Sequence, residues 1–162
     1  NFWTINIWIN EDICIALYFQ KMRNVRLYQN QVVGTYFHYR VIDVKRALKL
    51  FDNPEPKLLV ISTSDCSATV AYTPSLKIVQ AKNGYETYFL NIDDLDLEDK
   101  TTQKFISKLD MEYNLKGETG QFGSFIGATP MTVIIKNKKM VHGYIGSMST
   151  SSLEKITKLY GV

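Results

Sequence analysis

The residue with the strongest claim to chemistry is Cys66, within residues 62–76, STSDCSATVAYTPSL. An apolar run, Leu58-Leu59-Val60-Ile61, comes just before, and an amphipathic run over residues 70–82 comes just after. That order reads as strand, turn, helix. Cys66 then sits at or next to a helix N-terminus, where unpaired backbone N–H groups and the helix dipole favour a thiolate over a thiol. A thiolate so placed is a nucleophile toward disulfides. Asp65, its neighbour, works the other way by disfavouring a second negative charge.

Two further features stand at telling distances from Cys66. Pro74 lies eight residues after it, inside the amphipathic run, and Thr129-Pro130 opens a second apolar run over residues 131–135. The closing stretch, residues 129–156, TPMTVIIKNKKMVHGYIGSMSTSSLEKI, has the order strand, turn, strand, glycine, helix. These three features, in register, resemble the thioredoxin family over roughly residues 40–162. The resemblance implies an α/β chain with the thioredoxin fold, a central mixed β-sheet flanked by helices. Residues 1–39 then form an N-terminal extension that adds strands, and residues 40–162 form the thioredoxin-like domain. It also implies that the Thr129–Pro130 peptide is cis and lies opposite the thiol, with backbone groups there available to pair with an extended peptide. The implied catalytic positions are Cys66 and Thr69, and the implied substrate-binding positions are Ser67, Ala68, Thr129 and Pro130. Through YETYFLNIDD, residues 85–94, the chain is most similar within that group to bacteriocin transport accessory proteins of Gram-positive bacteria.

The departures from the family pattern bear on mechanism. Its second, resolving cysteine is replaced by Thr69, so the motif is Cys66-Ser67-Ala68-Thr69 and cannot close an internal disulfide. Thr69, one helical turn along, is placed to offer its hydroxyl to the Cys66 sulfur. The tryptophan usual before the motif is Asp65, and the buried acid of the preceding strand is Val60. Together these losses argue against an efficient general disulfide reductase. A mixed disulfide at Cys66 would need a second thiol for its release, from a glutathione-like molecule, the substrate, or Cys14.

Composition bounds the rest. A chain of 162 residues that is 45% hydrophobic supports one globular domain with a sizeable core. Its net charge of +3, from 19 basic and 16 acidic residues, is mild, and no Lys/Arg cluster interleaves with aromatics, so nucleic acid is not an expected partner. Two cysteines, Cys14 and Cys66, and two histidines, His38 and His142, have no metal-ligand spacing, and no metal or other cofactor is expected. Asp93, Asp94, Asp96, Glu98 and Asp99 lack the glycine and terminal Glu of a calcium loop and read as the acidic start of a helix. The expected partner is a cysteine-containing peptide or protein; oligomeric state is left open.

Along the chain, Trp3, Ile5, Ile7 and Ile9 alternate with polar residues as a half-buried strand does, and residues 13–19 form a second apolar run. Asn6, Asn10, Glu11 and Asp12 interrupt this stretch, which has neither the unbroken apolar length of a membrane span nor the basic start and cleavage site of a secretory signal. The first residue, Asn rather than Met, suits a processed or trimmed form, and the compartment stays open. Cys14 reads either as a packed core residue or as the thiol that resolves Cys66.

Residues 31–40 suit a strand, with His38 packed or at the surface. Asp43 suits the N-cap of a helix carrying Val44, Ala47, Leu48 and Phe51. Pro74 either kinks the helix after Cys66 or ends it. Phe105, Ile106, Leu109 and Tyr113 form one helical stripe, and residues 115–128, with four glycines, read as a loop beside Pro130 that either binds substrate or is a plain insertion. Residues 131–135 and 140–145 make a hairpin with His142 exposed. Ser149 or Thr150 caps a last helix whose Leu153, Ile156 and Leu159 face the sheet.

Two functions fit this pattern. One is a single-cysteine thiol–disulfide exchange protein, an oxidoreductase or isomerase acting on secreted-peptide or bacteriocin disulfides. The other is a redox-inactive thioredoxin-fold module that binds peptides or proteins. An exposed Cys66 supports the first, and a buried one the second.

Overall fold

The computed structural model describes residues 4–10, 13–18, 39–63 and 65–162. Two antiparallel strands come first, β1 (Thr4–Asn10) and β2 (Ile13–Tyr18). Of the strand expected over residues 31–40, the described part begins at its far end, as β3 (Tyr39–Ile42); His38 lies outside the described residues. Asp43 then caps α1 (Val44–Lys49), its carboxylate accepting from the Arg46 N–H at 2.8 Å, and a 3-10 turn over Leu50–Asp52 follows. β4 (Lys57–Ser62) leads to α2 (Ser67–Asn83), which runs unbroken for 17 residues with Pro74 inside it. Pro74 does not end the helix; Gly84 does, in the left-handed region at φ 71°.

β5 (Thr87–Asn91) precedes the acidic run, which forms a 3-10 turn over Ile92–Asp94 and the entry to α3 (Lys100–Ser107). Asp99 is the cap: its carboxylate accepts from the N–H groups of Thr101 and Thr102 at 2.9 and 3.0 Å, which hold its pKa below the usual value. The expected stripe through Tyr113 is not one helix. α3 stops at Ser107, Leu109 is buried just past its end, and Tyr113 belongs to β6 (Glu112–Leu115).

The glycine-rich stretch is also not a loop. β6 pairs antiparallel with β7 (Glu118–Gln121) through a two-residue turn, Lys116-Gly117, both at positive φ as such hairpins require. A 3-10 turn over Phe122–Phe125 follows, with Phe122 fully buried and edge-on to Tyr113 at 5.2 Å. Gly123 is needed there, because a Cβ would come within 2.5 Å of the Ile106 carbonyl. β8 (Ala128–Thr129), β9 (Met131–Lys136), β10 (Lys139–Ile145) and α4 (Thr150–Tyr160) complete the chain. Ser149 caps α4 by accepting from the Ser152 N–H at 3.2 Å. Leu153 faces the sheet as expected, but Leu159 is 72% exposed, and Thr157 takes the buried position near that end of the helix.

Five strands form the central sheet in the order β3-β5-β4-β9-β10. β3, β5 and β4 run parallel, and β9 and β10 alternate antiparallel, which makes the sheet mixed. β4 is central because its side chains are apolar on both faces. Leu59 and Ile61 pack with Phe51, Phe105 and Val133 under α1 and α3; Leu58 and Val60 pack with Tyr72, Leu76 and Leu153 under α2 and α4. A smaller sheet has the order β1-β2-β8.

Candidate functional site

The site forms where β4 ends and α2 begins. Past the buried end of β4 at Ser62 comes Cys66, the N-cap of α2, with extended backbone (φ −73°, ψ 110°). The Cys66 carbonyl accepts from the N–H groups of Thr69 and Val70 at 3.0 and 3.1 Å, which starts the helix. Its side chain makes no capping bond and instead points across the site, the thiol donating to the Thr129 carbonyl at 3.7 Å. Cys66 thus opens a helix opposite the residue before Pro130, and the Thr129–Pro130 peptide is cis. Cys66 is 1% exposed.

Two polar fastenings hold this geometry. The Ser147 hydroxyl donates to the Ala68 carbonyl at 2.7 Å, tying the first turn of α2 to the segment after β10. The Gly146 N–H donates to the Pro130 carbonyl at 2.8 Å, tying that same segment to the start of β9. Both ends of the site therefore hang on residues 146–147. Buried Thr73 adds a bond from its hydroxyl to the Thr69 carbonyl, 2.9 Å.

Thr69 serves differently from its expected role. Its hydroxyl shares a 2.5 Å hydrogen bond with the Ser62 hydroxyl, so it locks the end of β4 to the first turn of α2 rather than reaching the Cys66 sulfur. Both groups are buried, and each satisfies the other. Val60 is fully buried in the cluster with Tyr72 and Leu76, so the strand position that the resemblance gives to an acid is apolar. Tyr72, likewise buried, has its phenol pushed up by desolvation, and its oxygen accepts from the Thr132 hydroxyl at 3.1 Å. Of the remaining expected substrate-binding residues, Ser67 is exposed while Ala68, Thr129 and Pro130 are buried.

Pro130 borders a second feature. β2 pairs antiparallel with β8, with Cys14 in register opposite Thr129 and Ile15 opposite Ala128. β2 also approaches α2, the helix that Cys66 opens. Cys14 and Cys66 therefore adjoin the same residue, one through strand register and one through the Thr129 carbonyl. His142 is elsewhere and is half-buried rather than exposed: it lies on β10 against Tyr160, ring centroids 5.7 Å apart, and desolvation lowers its pKa. Among the described residues, no three His, Cys, Asp or Glu side chains gather as metal ligands would.

No family model matches the chain, and no curated protein matches it. Among solved structures it is similar to oxidised mitochondrial thioredoxin 3 of Saccharomyces cerevisiae, with a TM-score of 0.51 and 15% identity, covering 77% of this chain and 98% of that one. It is also similar to a chain from a structure of thiol resolution in yeast mitochondrial 1-Cys peroxiredoxin via glutathione/thioredoxin systems, with a TM-score of 0.51 and 14% identity, covering 76% and 96%. At such identities the likeness is one of architecture, and together with the sheet order and the cis peptide facing the thiol it gives the chain the thioredoxin fold.

Proposed function

We propose that this chain carries out thiol–disulfide exchange through a mixed disulfide at Cys66. The observation that carries the reading is the placement of that thiol: it opens α2 and faces the Thr129 carbonyl, next to the cis Pro130. Helix-end N–H groups and dipole favour the thiolate form of Cys66, the form that attacks. The step is a displacement, in which the Cys66 thiolate attacks one sulfur of a substrate disulfide, forms a new S–S bond and releases the other sulfur as thiolate. Ser67, Ala68, Thr129 and Pro130 would line the bound segment, and Thr69 fixes the first turn of α2 through Ser62. The substrate class is a cysteine-containing peptide or protein, with the disulfides of secreted peptides such as bacteriocins the kind that the sequence resemblance suggests.

A second reading, a redox-inactive peptide- or protein-binding module, is favoured by one observation: Cys66 is 1% exposed. One experiment separates the two. The folded protein is mixed with a peptide disulfide, quenched and analysed by mass spectrometry without reductant, alongside Cys66→Ser and Cys14→Ser variants. The exchange reading expects a covalent peptide adduct in the Cys14→Ser variant and none in Cys66→Ser. An adduct equally absent from all three proteins, with peptide still bound, overturns exchange in favour of the binding module.

A further inference from the structure

We infer that Cys14 is the resolving thiol for Cys66, delivered to the site by β2; this rests on the exchange reading above. The motif Cys66-Ser67-Ala68-Thr69 lacks a second sulfur. Without one, a mixed disulfide at Cys66 would wait for an outside thiol. The structure supplies a sulfur-bearing residue from the other end of the sequence instead. Cys14 is the β2 residue registered opposite Thr129, and Thr129 is the residue whose carbonyl accepts from the Cys66 thiol.

Register makes this placement specific. Directly opposed residues in an antiparallel pair have Cα atoms about 4.5–5.5 Å apart, so register sets Cys14 beside Thr129, the residue that the Cys66 thiol meets. A one-residue slip of β2 would put Ile13 or Ile15 there instead. β2 has the role of a strand that leaves to admit a substrate disulfide and returns to discharge the product. It is suited to that by its short hold, since among the described residues its register with β8 covers Cys14–Thr129 and Ile15–Ala128 alone.

The chemistry balances without an added oxidant. The Cys66 thiolate first breaks the substrate S–S bond, forming Cys66–S–S–R and releasing one substrate thiolate. The Cys14 thiolate then attacks the Cys66 sulfur, breaks the Cys66–S–S–R bond and releases the second substrate thiolate, leaving a Cys14–Cys66 disulfide. The substrate disulfide is reduced by two electrons and the protein dithiol is oxidised by the same two. In the reverse direction, an oxidised protein would pass its disulfide to a substrate dithiol.

The test uses the full chain and one equivalent of the chromogenic disulfide dithiobis(nitrobenzoate). The wild-type protein is expected to release both halves of the reagent, to retain no adduct, and to show by mass the loss of two hydrogens, with peptide mapping joining Cys14 to Cys66. The Cys14→Ser variant is expected to release one half and to retain the other on Cys66. An adduct that persists on Cys66 in the wild-type protein as long as in Cys14→Ser overturns the inference while leaving exchange intact. No adduct at Cys66 in either protein, and no joined peptide, overturns exchange and this inference together.

Discussion

The two sheets of this molecule are held by different means. The central sheet is covered on both faces, and β4 at its middle places Leu58, Leu59, Val60 and Ile61 entirely out of solvent. Among the described residues, the β1-β2-β8 sheet is tied to the rest by the two-residue β8, with registered pairs at Cys14–Thr129 and Ile15–Ala128, and by the approach of β2 to α2. Apolar burial on this scale in the first sheet makes it the part that sets global stability. The second sheet has the short hold expected of a segment that opens locally at low free-energy cost. Cys66 sits at the boundary, anchored to the stable part through its backbone and facing Thr129, the residue that the extension grips.

Mutations that act on one sheet only would break or sharpen this contrast. The largest effect is expected from Leu59→Ala, which empties a buried position at the middle of the central sheet and should cost about 2–5 kcal/mol, read as a lower urea midpoint. A loss well under 1 kcal/mol would mean that the stability resides elsewhere. Ile15→Pro should do the reverse. Proline removes the N–H at the residue registered opposite Ala128 and disfavours pairing, so global stability should move by about 1 kcal/mol or less while alkylation of Cys66 quickens by about tenfold. Unchanged alkylation would show that β2 does not govern access to the thiol.

The smallest effect is expected at His142, packed against Tyr160 on the far strand of the central sheet. Burial lowers its pKa in the folded state, so below the ordinary value of about 6.5 the unfolded chain takes up the proton more readily. Stability should therefore be unaffected by this residue above that pH and should decline as pH falls through it toward the lower folded value. His142→Phe should flatten the decline; a slope identical in the two proteins would remove His142 as its source.

What the sequence showed in advance follows the same division. Features set by near neighbours were legible: the caps Asp43 and Ser149, and the strand, turn, helix order around Cys66. Cys66 and Pro130 were found together because a spaced pattern, rather than either residue alone, pointed to them. What was missed depends on contacts between distant segments. Thr69 was assigned to the sulfur by helical spacing, but Ser62, seven positions earlier, takes its hydroxyl. The glycines of residues 115–128 suggested a loop, yet Lys116-Gly117 is a hairpin turn whose flanking strands carry too few apolar residues to announce themselves. Leu159 follows Leu153 and Ile156 at steps of three, but two such steps carry it round the helix away from the sheet; Thr157 and Tyr160 take the covered face, leaving Leu159 in solvent. No local signal could have matched the apolar run of residues 13–19 to a two-residue strand more than a hundred positions later.

That distance also bears on how the protein is made. Cys66 emerges from the ribosome early, but the carbonyl its thiol meets lies 63 positions downstream, and the serine that fastens Ala68 lies 79 positions after it. Synthesis at about 5–20 residues per second leaves several seconds in which the thiol exists without its surroundings. During that interval the nascent chain exposes an ungated cysteine to whatever thiols and disulfides the compartment holds. The surroundings that bury this thiol are therefore the last to arrive, with Thr129 and Ser147 both translated well after it.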